Sequence, residues 1–229
     1  MKPKLLLLHG ALGSSRQFAR LKNLLAESFE IYELNFEGHG GRASSQDFSI
    51  SLFTENVHAF LRENGIESTA IFGYSMGGYV ALNLALTETA SVKEIITLGT
   101  KFDWTEESAA REVKMLNPEK IEEKVPKFAE MLKQQHAPLD WKELMRKTAQ
   151  MMLGMGAGAK LHPEQLNQIQ QKVTIGLGSE DKMVSREESE AASQTLPQAS
   201  FHLLDCVPHP IDRVDPEVLA NYIKEAMNP

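Results

Sequence analysis

A serine hydroxyl is a poor nucleophile at neutral pH. It becomes an effective one when a base takes its proton as it attacks an acyl carbon. Ser75 is the serine best placed for such work. It stands in Gly73-Tyr74-Ser75-Met76-Gly77, after an apolar run over 68–72 and before a helix-forming run over 80–86. Strand, sharp turn and helix put a serine at the apex with its hydroxyl exposed, and the flanking glycines leave room where a Cβ would clash. A base and a group to orient it must come from elsewhere in the chain. The histidines are His9, His39, His58, His136, His162, His202 and His209.

The elements that must position these groups follow from the apolar pattern. Leu5 to Leu8 form a continuous apolar run stopped by His9-Gly10, as in a strand buried on both faces. Phe18, Leu21, Leu24 and Leu25 have helical spacing, with Ser14 or Ser15 as N-cap. A second strand is expected over 29–36, then a loop containing Gly38-His39-Gly40, then a helix marked by Leu52, Val57, Phe60 and Leu61. The strand before Ser75 follows, and another over 92–98 stopped by Gly99. Strands alternating with helices across short connections give an α/β fold with a mostly parallel sheet and helices on both faces. In such sheets functional groups gather at the carboxyl ends of the strands.

The alternation breaks over 101–171, where apolar residues recur at helical spacing without a strand, and Gly154 to Ala159 suggest a flexible joint. Six of the ten methionines fall in this insertion. They read either as the core of a small helical subdomain or as the lining of an apolar pocket under a helical lid. Strands return over 173–177 and 201–204, separated by a polar helix over 186–196 and followed by a closing helix. The expected organisation is a core of 1–100 and 172–229 with an inserted helical lid over 101–171.

The motifs His9-Gly10, Gly38-His39-Gly40 and Gly73-x-Ser75-x-Gly77 each follow a strand. An acid follows the next-to-last strand, and a histidine follows the last. In that order the chain resembles the serine-nucleophile branch of the α/β-hydrolases, esterase-like and with a helical lid, over nearly everything outside the insertion. The resemblance implies Ser75 as nucleophile, His209 as base and Asp181 as the acid that orients it. Asp103, just past the fourth strand, is a second position for the acid. The backbone N–H groups of Ala11 and Met76 would form the oxyanion hole. His9 is expected to be structural and His39 to bond locally. The family usually opens with antiparallel strands, which this chain lacks, so about six strands are expected. It also usually has an Asp and a Pro where Asn35 and Glu37 stand, and a glycine where Cys206 stands.

What the resemblance implies is a serine esterase cleaving a small, apolar carboxylic ester or thioester through an acyl-enzyme. Two other readings stay open: a lyase, synthase or C–C bond hydrolase using the same triad, and a ligand-binding signalling protein on this fold. No metal or other cofactor is expected, because the histidines lack ligand spacing and no Gly-x-Gly-x-x-Gly follows the first strand. The net charge of −7 makes nucleic acid and anionic membrane poor partners, leaving a small-molecule substrate. The single cysteine, Cys206, excludes an internal disulfide, and four leucines are too few for a signal-peptide core. A cytoplasmic protein is the expectation; the oligomeric state stays open.

Overall fold

The four consecutive leucines at the start of the chain have no solvent exposure at all. They form β1 (Lys4–Leu8), a strand with helices packed on both of its faces. In the computed structural model, which describes residues 2–227, β1 is followed by α1 (Ala19–Leu25), β2 (Glu30–Glu33), α2 (Ile50–Glu63), β3 (Thr69–Tyr74), α3 (Met76–Thr87) and β4 (Val92–Leu98). Five helices come next: α4 (Glu106–Val113), α5 (Pro118–Lys124), α6 (Pro126–His136), α7 (Trp141–Gly156) and α8 (Pro163–Leu166). The chain closes with β5 (Lys172–Gly178), α9 (Arg186–Thr195), β6 (Ala199–Leu204) and α10 (Pro216–Met227). No helix among the described residues is long and apolar enough to cross a membrane.

The six strands form one sheet in the order β2-β1-β3-β4-β5-β6, and every pairing is parallel. Successive side chains of a strand point to opposite faces, and the core divides accordingly. Leu5, Leu7, Phe72 and Ile96 pack with α1 and α10, whereas Leu6, Leu8, Ile71 and Ile95 pack with α2 and α3. The register pairs Leu8 with Gly73, Gly73 with Thr97, and Leu98 with Gly176. The strands therefore end in one row, and the loops bearing His9, Ser75, Gly99 and Asp181 all leave from it.

The insertion is helical throughout. Trp104, Ala109, Leu144, Met151, Met155 and Leu161 join the cluster on the α2 and α3 face; Ala129, Leu132, Trp141 and Met145 make a small cluster of their own. The flexible joint expected over Gly154 to Ala159 is corrected in its first half: α7 takes in Gly154 and ends at Gly156, and a turn follows over 157–158. A Cβ on Gly156 would lie 2.6 Å from the Ala109 Cβ and 2.8 Å from the Thr105 carbonyl oxygen. This glycine serves close packing of α7 on α4, a use of glycine that looks in sequence like a hinge. At the other end of the insertion, Glu188 completes a capping box with Ser185 at the start of α9. Its second oxygen accepts the N–H groups of Phe102 and Asp103, which pins the β4–α4 loop to α9.

Candidate active site

Ser75 occupies the turn between β3 and α3 with φ 52° and ψ −117°. For a residue with a Cβ this left-handed backbone is strained, at a cost of roughly 1–3 kcal/mol. The surroundings impose it. The Ser75 N–H donates to the Leu98 carbonyl at 2.8 Å, and the Thr100 hydroxyl donates to the Ser75 carbonyl at 3.0 Å. The glycines on each side permit the close approach: a Cβ on Gly73 would lie 2.4 Å from Gly78, and one on Gly77 would lie 2.3 Å from the Leu8 carbonyl oxygen.

His209 and Asp181 meet directly. The His209 Nδ1 donates to Asp181 Oδ2 at 2.7 Å, and the two side chains are only 10% and 2% exposed. The other carboxylate oxygen, Oδ1, accepts the N–H groups of Met183 and Val184 at 2.8 and 3.0 Å, so the carboxylate is held from both sides. The His209 carbonyl accepts the Tyr74 hydroxyl at 2.8 Å, which ties the histidine loop to the residue before Ser75. Gly99, at φ 63°, lies against this pair. A Cβ there would lie 3.2 Å from both Asp181 Oδ2 and His209 Nδ1. Ser75 is thus fastened to the residues flanking Gly99, and the His209–Asp181 pair lies against Gly99 itself. Asp103, the other candidate acid, is exposed on the β4–α4 loop and does not contact His209.

Ala11, Ser75 and Met76 line one cavity of about 40 Å³, closed by Ile50, Tyr79, Lys101, Trp104, Met151, Met152 and Met155. Three of the insertion's methionines therefore face the serine. Lys101 is engaged by Glu112 at 3.7 Å and Glu188 at 3.8 Å, which offsets its charge within the otherwise apolar wall. A larger cavity of about 410 Å³ lies beyond Ile50, Tyr79, Met151 and Met155 and has Asn83, Gln150 and Gln165 on its polar side.

The loops under the cavity are held by buried histidines. His9 donates from Nδ1 to the Gly10 carbonyl at 2.8 Å and accepts the Phe36 N–H on Nε2 at 3.2 Å. His39 donates to the Glu37 carbonyl at 3.0 Å. His136, in the insertion, lies fully buried beside them, with its ring centroid 5.9 Å from that of His39, a placement with no mark in the local sequence. Only the pairing of distant loops brings it there, and periodicity carries no signal for that. Cys206, where the resemblance would put glycine, has φ 56°, a conformation that glycine adopts freely. Among the described residues no cluster of three or more His, Cys, Asp or Glu could hold a metal ion.

Burial pushes the His9 imidazole down to about 4, lowers His39 well below its ordinary value and lowers His136 as well. In an unfolded chain all three take up protons near pH 6.5; in the folded chain they stay neutral to lower pH. Stability is therefore fully present above pH 6.5 and falls as the pH drops from there toward 4. At pH 5, His9 alone removes about 2 kcal/mol. Urea unfolding at pH 7.5 and pH 5 should show a clear fall in the midpoint, and replacing His9 by Asn should shrink the difference between the two.

Residues 3–155 match the model of the alpha/beta hydrolase fold family. The chain is 28% identical over 98 residues to RutD of Escherichia coli O103:H2, which covers 42% of this chain and 37% of that protein. It is 26% identical over 98 residues to the mouse sn-1-specific diacylglycerol lipase ABHD11, covering 42% and 32%. The matched stretch spans about a third of the length of these curated relatives. Among solved structures, NosK from Streptomyces actuosus superposes with a TM-score of 0.83 at 18% identity, covering 99% of this chain and 97% of that one. Likeness at that identity shows a shared fold. The family match over two-thirds of the sequence goes further: this chain belongs to the α/β-hydrolase fold family.

Proposed function

We propose that the chain is a serine hydrolase that cleaves a small carboxylic ester or thioester through an acyl-enzyme. The observation that carries this reading is the 2.7 Å bond from His209 to a carboxylate that is itself buried and fixed by two backbone N–H groups, across one glycine from Ser75. A carboxylate bonded at Nδ1 keeps the proton there and leaves Nε2 free to act as a base. In the proposed reaction Nε2 takes the Ser75 proton as Oγ attacks the acyl carbon. The oxyanion that forms is met by the N–H groups of Ala11 and Met76, each worth about 10²–10³ in rate. When the intermediate collapses, His209 returns the proton to the leaving alcohol or thiol. Water then repeats the cycle on the acyl-enzyme and frees the acid.

The cavity supports a small, apolar acyl group. At about 40 Å³ beside Ser75, with methionine, isoleucine and tryptophan walls, it has room for an acetyl- to propionyl-sized group as it stands. The leaving group would extend toward the larger, more polar cavity beyond Met151 and Met155. In this reading α7 serves as a lid, and its flexible methionines let the wall adapt.

The test is intact-mass measurement after incubation with a fluorophosphonate, followed by digestion to locate the adduct. One adduct on the peptide carrying Ser75 is expected, together with turnover of p-nitrophenyl acetate. A folded protein that takes no adduct and turns over no ester would sink this reading. An adduct without ester turnover would direct attention to the lyase and C–C bond chemistries.

A further inference from the structure

We propose that His136, at the end of α6 in the insertion, is a positioning residue for the oxyanion loop. Its ring ties the Leu12 carbonyl to the Gly40 N–H, and so holds the turn that presents the Ala11 N–H. The inference rests on the serine-hydrolase reading above.

The turn runs from Gly10 to Gly13, closed by the Gly13 N–H donating to the Gly10 carbonyl at 3.1 Å. That carbonyl also accepts His9 Nδ1–H at 2.8 Å. A peptide unit is planar and trans, so anchoring the Gly10 oxygen fixes the Ala11 N–H on the opposite edge. Ala11 lines the cavity that holds Ser75. The direction of this donor therefore depends on the turn staying closed.

The turn is strained at its third residue. Leu12 has φ 57°, at a position where turns of this kind usually place glycine or asparagine. The left-handed conformation costs a leucine roughly 1–2 kcal/mol. Support comes from the insertion. The Leu12 side chain packs against the cluster of Ala129, Leu132, Trp141 and Met145. Its carbonyl accepts two hydrogen bonds from the end of α6, from Gln135 Nε2 at 3.0 Å and from His136 Nε2 at 3.1 Å. The His136 Nδ1 accepts the Gly40 N–H at 3.0 Å. An N–H pointing at Nδ1 requires that nitrogen to be unprotonated, which places the ring proton on Nε2, where it reaches Leu12. One neutral tautomer satisfies both bonds, and burial keeps the ring neutral. The Gly38–Gly41 loop is fitted to the same spot: a Cβ on Gly41 would lie 2.9 Å from the Ala137 carbonyl oxygen.

Two substitutions separate the ring's two bonds. The amide of His136→Gln reaches the place of Nε2 and can still donate to Leu12. That of His136→Asn reaches only the place of Nδ1, where it can accept from Gly40 but cannot touch Leu12. With p-nitrophenyl acetate as probe, His136→Asn should lose about 10–100-fold in kcat, the scale of a misplaced catalytic group, with KM within about threefold. His136→Gln should keep kcat within about threefold of wild type. Equal kcat in wild type and His136→Asn overturns the inference, as does an equal fall in both variants. Should His136→Asn fail to fold, the wild-type ring is read by ¹⁵N NMR at pH 7.5: a proton on Nε2 alone supports the tie between Leu12 and Gly40, and a proton on Nδ1 overturns it. A wild type inert to both ester and fluorophosphonate is a separate outcome: it removes the hydrolase reading, and this inference with it.

Discussion

Asp181→Asn should lower kcat by about four orders of magnitude while leaving the fold intact and KM little changed. The geometry sets both halves of that expectation. An asparagine carbonyl can replace Oδ1 and still accept the N–H groups of Met183 and Val184, so the loop after β5 keeps its shape. The amide NH₂ then faces His209 Nδ1, which now accepts a hydrogen bond in place of donating one. The ring proton moves to Nε2, the atom that must be free to deprotonate Ser75. The imidazolium that forms in the reaction also loses its buried counter-charge. Steady-state kinetics with p-nitrophenyl acetate, alongside thermal unfolding, would measure this. A loss below about tenfold would mean that the orienting acid lies elsewhere. Asp103→Asn is the matched control. That residue is exposed and away from His209, so its kcat should stay within about threefold of wild type.

A large loss of stability should come from Gly77→Ala. The added Cβ would sit 2.3 Å from the Leu8 carbonyl oxygen, 2.6 Å from its carbon and 2.8 Å from the His9 carbonyl oxygen. All three are backbone atoms of β1 and its exit, so no side chain can rotate away. Either α3 moves off the sheet or β1 bends, and β1 is the strand that joins β2 to β3. Overpacking of this kind costs about 1–3 kcal/mol, and rigid backbone neighbours place it at the upper end. At about 2–4 °C per kcal/mol for a chain of this size, Tm should fall by about 6–12 °C. Gly154→Ala makes the comparison, because a Cβ there meets nothing within 4 Å. In the last turn of α7 that change should be neutral or slightly stabilising. If both variants melted alike, the close approach of α3 to β1 would not be what Gly77 serves.

The six parallel strands were legible, though not their order in the sheet, because buried strands read as short apolar runs with glycine stops, as at Leu5 to Leu8 and at 92–98. Ser75 was legible for a local reason: the turn that strains it needs glycines two residues away on each side. Between Asp181 and Asp103 the sequence offered two acids on neighbouring loops. What separates them is the direction in which each loop leaves the sheet, which depends on contacts such as Glu188 with the Phe102 and Asp103 N–H groups. Gly154 and Gly156 looked like a hinge because glycine in a sequence marks freedom and close packing alike. His136 was the least visible. Its partners, Leu12 and Gly40, are 124 and 96 residues away, and no local pattern encodes a contact of that span.

The order of the strands has a consequence for the birth of the protein. On the ribosome the chain offers β1 to β4, with Ser75 already seated between strand and helix, well before β5 begins at Lys172. During that interval β4 is the edge of an unfinished sheet, carrying Ile95 and Ile96 with no neighbour on one side. Long-range parallel pairing is slow and leaves such edges open to other chains. The five helices of the insertion emerge in that gap, and α4 and α7 can cover the α3 face while the edge waits. His209 follows β6, so Ser75 is seated in its turn long before the His209–Asp181 pair can form.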